Sequence, residues 1–245
     1  MEFVPRFKPI LKKVFSRAGI FLTRNQRYDY YTSLILRRVL QSDSCVVDVG
    51  AHRGEFLDEV LTLAPQGNHI AVEPLPFLAE RLREKYRLRP VRVYECALAE
   101  RPGHSAFCFV PEAPAYSGLK PREYPRRVKA HQTLNVSVQT LDGLLPAGYC
   151  PALVKIDVEG AEWPVLQGAS ETLLRCRPLL LFECGLGASE RYGTQPEDLA
   201  RWLEERGYHL YTLPGFLKGD KPLTISQFSD HFHCRREYYF VGSPL

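Results

Sequence analysis

The sequence predicts an α/β fold of the Rossmann-like kind, with a mostly parallel seven-stranded sheet, helices on both faces and one antiparallel edge strand. From residue 45 onward, short apolar runs alternate with helical patterns, which is typical of parallel sheets. A glycine-containing turn joins the first apolar run to the first helical stretch. The last two apolar runs come late and close together, which favours an antiparallel strand at one edge.

The predicted elements follow one another along most of the chain. The strands are the apolar runs at 45–49, 69–73, 91–96, 152–157, 179–183, 208–212 and 237–241. The helices lie between several of them, at 54–64, 75–87, 163–175 and 196–206. A chain of 245 residues has room for one large domain of this kind, which we expect at 41–245.

Residues 1–40 differ from the rest in charge, because nine Lys and Arg stand against only Glu2 and Asp29. Residues 9–19 have the pattern of a short amphipathic helix with a basic face. We therefore expect 1–40 to form a basic helical extension. Packing of the apolar face on the domain is the favoured interpretation, and peripheral contact with an anionic membrane is the alternative.

Composition narrows the class of protein. The net charge of +4 fits an acidic substrate or an anionic surface and does not require nucleic acid. The seven cysteines are odd in number and none has CxxC spacing, so we expect reduced, structural thiols and a cytoplasmic protein. We expect neither a membrane-spanning helix nor a signal peptide, because no uncharged apolar run is long enough.

The turn "VVDVGAHRGEF" suggests a ligand site after the first strand. Gly50 and Gly54 allow a tight turn and close approach of the backbone to a ligand. The spacing is neither the three-glycine dinucleotide fingerprint nor a P-loop. Asp48 would repel a phosphate, so the turn favours a positively charged ligand such as an amine or a sulfonium.

Two further segments extend this site. Glu73 ends the second strand, where an acid in such folds can accept hydrogen bonds from both ribose hydroxyls. The alternative is a Glu that points into water. Ala97 and Leu98 follow the third strand and are small enough to leave room for an adenine, although this signal alone is weak.

The segment "KIDVEGAE" places three carboxylates within six residues after the fourth strand. Glu162 lies at the start of a predicted helix, where an acid is stabilised, so a structural role is favoured for it. Asp157 and Glu159 have no such explanation. With Asp48 and Glu73 they should meet at one edge of the sheet, and like charges there need a positive partner.

A long segment, 108–135, interrupts the alternation with four prolines and many basic residues. Loops of this length in a compact domain are usually functional or disordered. We expect Arg126 and Arg127 to contact an acid group of the substrate, with His131 beside them. A solvated, irregular loop is the equally favoured alternative.

Together, "VVDVGAHRGEF", "AVEPLP", "SVQTLDGLL" and "LVKIDVEGAEWPVLQGA" resemble the FkbM-type methyltransferases over about residues 45–242. The resemblance implies the class I methyltransferase fold and S-adenosylmethionine as cofactor. It also implies that Gly50 and Gly54 flank the methionine portion, that Glu73 holds the ribose and that the Ala97 region meets the adenine. His52 stands where the family often has Asn, and a His there can still bond the cofactor.

Family members mostly methylate hydroxyl oxygens on sugars, polyketides and other metabolites, so the resemblance implies O-methylation of such an acceptor. The acceptor's hydroxyl needs a base. We expect Asp157 or Glu159 in that role, then Glu183, and we favour a metal-free site over a Mg²⁺ site. The acceptor is an anionic or lipid-linked molecule, such as a glycan, or a neutral natural product. The alternatives are a non-catalytic cofactor-binding or membrane-associated scaffold and, less favoured, an NAD-dependent oxidoreductase.

Overall fold

The computed structural model of the chain describes residues 21, 23–122, 124 and 131–244. The expected helix at 9–19 and the residues Arg126 and Arg127 lie outside this part of the chain. None of the described helices is both long enough and apolar enough to cross a membrane.

The described elements alternate as the sequence predicts. The helices are α1 (Arg24–Val39), α2 (Glu55–Leu63), α3 (Pro76–Lys85), α4 (Leu141–Leu144), α5 (Glu162–Gln167), α6 (Ser170–Cys176), α7 (Pro196–Glu204), α8 (Leu213–Lys218) and α9 (Ile225–His233). The strands are β1 (Val46–Val49), β2 (His69–Val72), β3 (Val91–Tyr94), β4 (Ala97–Leu98), β5 (Gly103–Phe109), β6 (Gln132–Gln139), β7 (Leu153–Ile156), β8 (Leu179–Glu183), β9 (Tyr208–Thr212) and β10 (Tyr239–Pro244).

Seven strands form the main sheet in the order β3-β2-β1-β7-β8-β10-β9. The five strands from β3 to β8 pair in parallel, whereas β10 is antiparallel to both β8 and β9. The predicted mostly parallel seven-stranded sheet is therefore confirmed, with antiparallel pairing at one edge. The reversed strand, β10, lies one place in from that edge.

A second sheet was not predicted from the sequence. Its strands pair in the order β4-β6-β5, and β5 and β6 are joined by part of the segment expected to be a loop at 108–135. Both strands extend into that range, because Phe109 and Gln132 pair with each other. The expected loop is thus shorter than predicted, and Cys108 also pairs with Gly118 inside it.

Helix α1 packs on the domain. Thr23 caps its first turn by accepting a hydrogen bond from the backbone N–H of Gln26, and Tyr28, Ile35 and Leu36 are buried among residues of α2 and β10. Arg27 donates to both carboxylate oxygens of Glu237, which tie the helix to the start of β10. The helix therefore covers the face of the sheet on which α2 lies.

The expectation of reduced cysteines is wrong for one pair. Cys150 and Cys176 form a disulfide between the segment before β7 and the end of α6. Disulfides persist mainly in oxidising compartments. The expected cytoplasmic location rested on reduced cysteines, so the disulfide removes the argument for that location.

Candidate functional site

A cavity of about 450 Å³ opens at the carboxyl ends of the parallel strands. Its size is within the usual range of ligand pockets, and ligands of open α/β sheets bind at this edge. Residues of the turns after β1, β2 and β7 line it, together with the last residue of β8, Glu183. Parts of α1 and α2 and of the segment after β5 complete the lining. All four carboxylates expected at one edge, Asp48, Glu73, Asp157 and Glu159, line this one cavity.

The turn after β1 is held in a conformation that only glycine adopts readily. Gly50 has a φ of +83°, and a Cβ there would lie 1.9 Å from the carbonyl oxygen of Asp157. Gly54 has a φ of +74° and packs against the hydroxyl of Tyr86, with a Cβ distance of 2.3 Å. Gly50 lines the cavity, whereas Gly54 lies behind the turn and shapes it without lining the cavity.

Glu73 is buried beside this turn. One carboxylate oxygen accepts the N–H of His52 at 2.8 Å, and the other accepts the N–H of Leu75 at 3.0 Å. Burial raises the pKa of Glu73 to about 7, against the lowering effect of the two hydrogen bonds. The carboxylate thus joins two turns and retains free lone pairs toward the cavity.

His52 itself has a left-handed backbone, with a φ of +48°. Its Nε2 atom is buried and has no hydrogen-bond partner among the described residues. Burial lowers the pKa of His52, so the ring is neutral at physiological pH. A neutral imidazole in this place offers one nitrogen to a ligand.

The opposite end of the cavity is apolar. Ala97 and Leu98 form β4 and are buried, with Cys96 and Phe107 beside them in the cavity lining. Ala97 and Cys96 have small side chains, Leu98 is apolar, and the ring of Phe107 is flat. They leave room for a planar, weakly polar group.

Lys155 is the main feature that the sequence analysis missed. Its ammonium lies 3.1 Å from an oxygen of Asp48 and 3.3 Å from an oxygen of Asp157. Parallel pairing places Asp48 directly opposite Lys155, because β1 and β7 are neighbours. The signal was present in "LVKID", where Lys155 and Asp157 are two positions apart and so share one face of the strand. The acidic edge therefore contains its own cation.

Glu159 and Glu162 have partners of different kinds. Glu159, in a left-handed conformation with a φ of +60°, forms an ion pair with Arg122, whose guanidinium also lies over the ring of Tyr116. Glu162 is buried and accepts the N–H groups of Val158 and Gly160. The expected structural role of Glu162 is confirmed, although it supports the loop before α5 rather than the first turn of the helix.

Glu183 ends β8 and lines the same cavity. No hydrogen bond or ion pair engages its carboxylate within the part of the chain that the structure describes. Burial is the largest cause that raises the pKa of Glu183 well above its usual value, and the charges of Asp157 and Glu162 add to it. A carboxyl group with a raised pKa therefore lines the cavity.

The wall opposite Glu183 comes from α1. Asn25, Tyr28, Asp29 and Thr32 line the cavity from this helix. The hydroxyl of Tyr28 donates to Glu237 at 2.5 Å and accepts the N–H of Tyr238 at 3.2 Å. These bonds fix the helix over the ends of β8 and β10. Helix α1 thus supplies part of the cavity lining, in addition to the glycine turn and the strand ends.

His131 is not part of this arrangement. Its side chain is exposed at the start of β6, near the ring of Tyr124, and does not line the cavity. Arg126 and Arg127 lie outside the described residues, so their expected contact with a substrate stays a prediction.

The residues present fit S-adenosylmethionine, which combines a cationic methionine portion with a ribose and an adenine. One oxygen of Asp48 is buried without a hydrogen-bond partner among the described residues, and so is Nε2 of His52. Close packing at Gly50 lets the backbone approach a ligand, and the small side chains of Ala97 and Leu98 lie at the apolar end. The cavity thus offers acceptors for a cation, a buried acid for hydroxyls and an apolar slot.

Comparison with known proteins agrees with this geometry. Residues 48–210, more than half of the chain, match the model of the Methyltransferase FkbM domain. "Methyltransferase 1" of Beauveria bassiana (strain ARSEF 2860) is 28% identical over 151 residues, which cover 53% of this chain and 59% of that protein. "Methyltransferase sdnD" of Sordaria araneosa is 28% identical over 162 residues, which cover 54% of this chain and 62% of the relative.

The chain thus spans about three fifths of the length of the curated relatives it matches. The crystal structure of a methyltransferase FkbM from Methylobacillus flagellatus KT superposes with a TM-score of 0.52 at 16% identity. The match covers 83% of this chain and 44% of that one, and it supports the fold.

Proposed function

Because the chain belongs to the Methyltransferase FkbM domain family, with S-adenosylmethionine as its cofactor, we propose that it methylates a hydroxyl oxygen of a sugar, glycan or other metabolite. The observation that carries this proposal is the single cavity in which the glycine turn, the buried Glu73 and the unpaired Glu183 meet. The first two suit the cofactor, and the third suits an acceptor that must lose a proton.

The cofactor-binding residues follow from the cavity. Gly50 and His52 flank the methionine portion, Glu73 accepts the ribose hydroxyls, and Ala97 and Leu98 border the adenine. Asp48 and Asp157 face the positive charges, while Gly54 acts through the shape of the turn. When bound, S-adenosylmethionine supplies a methyl group activated by a positively charged sulfur.

The acceptor binds in the part of the cavity lined by α1 and the ends of β7 and β8. Alignment of the acceptor oxygen and exclusion of water are the main tasks of the protein there. Tyr28 and Thr32 contribute to this wall from α1. An anionic acceptor, held by Arg126 and Arg127, stays one possibility within this class, and a neutral one is the other.

Glu183 is the preferred base for the acceptor hydroxyl. The three candidates differ in their partners, since Asp157 faces the ammonium of Lys155 and Glu159 faces the guanidinium of Arg122. A carboxylate neutralised by a cation is a weaker proton acceptor than one without. Glu183 forms no direct ion pair or hydrogen bond among the described residues, and its pKa is raised despite the charges of Arg122 and Lys155, so it accepts the proton most readily once ionised. Asp157 is the next candidate and Glu159 the last.

Cofactor binding is the first test. Titration calorimetry with S-adenosylmethionine and with NAD, on the wild type and on Glu73→Ala, separates methyltransferase from oxidoreductase. Loss of the bonds to the ribose should weaken S-adenosylmethionine about 10- to 150-fold. Absence of S-adenosylmethionine binding by the wild type would overturn the proposal.

Turnover is the second test. With an acceptor found in a panel of hydroxylated sugars and natural products, release of S-adenosylhomocysteine should fall about 10²- to 10⁴-fold in Glu183→Gln. The Kd of the cofactor should stay within about threefold of the wild-type value. Cofactor binding without turnover of any acceptor would favour the non-catalytic alternative, and full activity of Glu183→Gln would exclude this residue as the base.

A further inference from the structure

Lys155 lies inside the sheet, where a cation is costly unless it is paired. Its side chain is 12% exposed, and its two carboxylate partners are unequal: Asp48 is fully buried and Asp157 is about one-third exposed. The ring of Phe56 lies 5.5 Å from the ammonium. The carboxylates of Asp48 and Asp157 explain why a lysine is tolerated in the middle of this strand.

Asp48 is the partner that depends on Lys155 most. Burial raises the pKa of Asp48, and the ammonium of Lys155 is the main factor that lowers it again. One oxygen of Asp48 accepts a hydrogen bond from Lys155, whereas the other is buried and has no hydrogen-bond partner among the described residues. Asp48 is also one of the residues that line the cavity, so this unpaired oxygen lies close to the space that a ligand would occupy.

We propose that Lys155 is a positioning residue for the cofactor, because its ammonium bridges the Asp48 and Asp157 carboxylates and holds them in place for a positively charged ligand. The inference rests on the proposed function, since S-adenosylmethionine is that ligand. Two carboxylates and one ammonium leave one negative charge, which matches the single net positive charge of S-adenosylmethionine.

Removing the ammonium changes the charge of Asp48 rather than only its position. A fully buried carboxylate without a cation takes up a proton and becomes neutral. A cationic ligand then binds only after that proton leaves, so its affinity rises with pH. Lys155→Met, which keeps the length and apolar stem of the side chain, produces this situation.

The other titratable groups near Asp48 and Lys155 are the same in the wild type and in Lys155→Met. Those whose charges interact with Asp48 or Lys155 are His52, Glu73, Tyr86, Asp157, Glu183 and Tyr239. Burial raises the pKa values of Tyr86 and Tyr239, so both stay neutral near pH 7. The effect of Lys155 is therefore the difference between the two pH profiles, not either profile alone.

The experiment measures the Kd of S-adenosylmethionine by calorimetry between pH 6 and 9. At pH 7, Lys155→Met should bind about 10- to 150-fold more weakly than the wild type, as expected for the loss of a charge-assisted bond. Its log Kd should also change more steeply with pH, by up to one further decade per pH unit. Lys218→Met, at the exposed end of α8, is the matched control and should keep the wild-type Kd.

A second variant separates this role from a contribution to folding alone. Asp48→Asn/Lys155→Met replaces the buried pair by neutral side chains, which proteins often tolerate without loss of stability. The proposal expects this variant to fold, to bind weakly and to lack the added pH dependence. Wild-type affinity of the double variant would overturn the proposal, and so would a wild-type Kd and pH profile of Lys155→Met. Failure of the wild type itself to bind would instead count against the proposed function.

Discussion

The stability of the ligand-free Glu73→Gln variant, taken relative to that of the wild type, should rise with pH. Glu73 is 4% exposed, and burial raises its pKa from 4.5 to about 7. The native state therefore binds the proton more tightly than the unfolded state does. For a carboxyl group with a raised pKa, stability is highest below the unfolded value and falls as pH rises through 4.5 toward 7. The neutral amide of the Glu73→Gln variant does not titrate in this range. Its NH2 group cannot accept one of the two backbone N–H groups that the carboxylate accepts, which adds a cost that is the same at every pH.

The size of the effect follows from these two pKa values. Linkage gives about 2.5 kcal/mol between pH 5 and pH 8, so the variant should gain that much stability relative to the wild type over this interval. The measurement is urea unfolding of both proteins at the two pH values without ligand. Glu162, whose pKa burial also raises to about 7, and Glu183 are present in both proteins, so their contributions cancel.

Glu80→Gln is the matched control. Glu80 is on the exposed face of α3, paired only with Arg83 among the described residues, so its replacement should change stability by less than about 0.5 kcal/mol at both pH values. An unchanged difference between Glu73→Gln and the wild type at pH 5 and pH 8 would refute the reasoning. The gain has a functional cost, because the same variant should bind S-adenosylmethionine more weakly.

Two further predictions concern the backbone and the disulfide. Gly50→Ala should abolish cofactor binding, because the added Cβ would overlap the carbonyl of Asp157. The control is Gly219→Ala, since Gly219 also has a positive φ but has open space around it. This variant should lose only about 1–2 kcal/mol of stability in urea unfolding and keep cofactor binding. Equal effects of the two variants would contradict the steric argument. Cys150→Ser/Cys176→Ser should lose about 3.5 kcal/mol of stability in urea unfolding, as the 26-residue separation of the two cysteines implies. Cys234→Ser, at an exposed free cysteine, should change stability little. Equal stability of the wild type and both variants would contradict this.

Local pattern was enough to predict most of the sheet. The bounds of β8 and β9 agree with the predicted 179–183 and 208–212, because these apolar runs are buried or half-buried along their whole length. Strands β1 to β3 and β7 end one or two residues earlier or start later than predicted. Their last polar residues, such as Glu73 and Asp157, belong to the turns that form the cavity.

Long-range contacts account for what was missed. The predicted helix 163–175 is two helices, because Gly168 packs so closely on Ala99 that a Cβ would lie 2.2 Å from its carbonyl oxygen. Asp142, from a distant part of the chain, accepts the N–H groups of Glu171 and Thr172 at the start of α6. Gly168 is itself a local signal for a helix end that the prediction did not use, whereas the contacts with Ala99 and Asp142 depend on which segments the fold brings together.

The same reason explains why the sequence did not separate the candidate bases. Asp157, Glu159 and Glu183 are all carboxylates that follow buried strands, and pattern alone ranks them by proximity to the motif. Their partners come from elsewhere in the fold: an ammonium within β7 for Asp157 and the guanidinium of Arg122 for Glu159. Glu183 forms no ion pair among the described residues, and burial with the charges of Asp157 and Glu162 raises its pKa against the opposing charges of Arg122 and Lys155. The cation that each acid meets therefore separates the three candidates, and turnover by Glu183→Gln tests the order proposed from it.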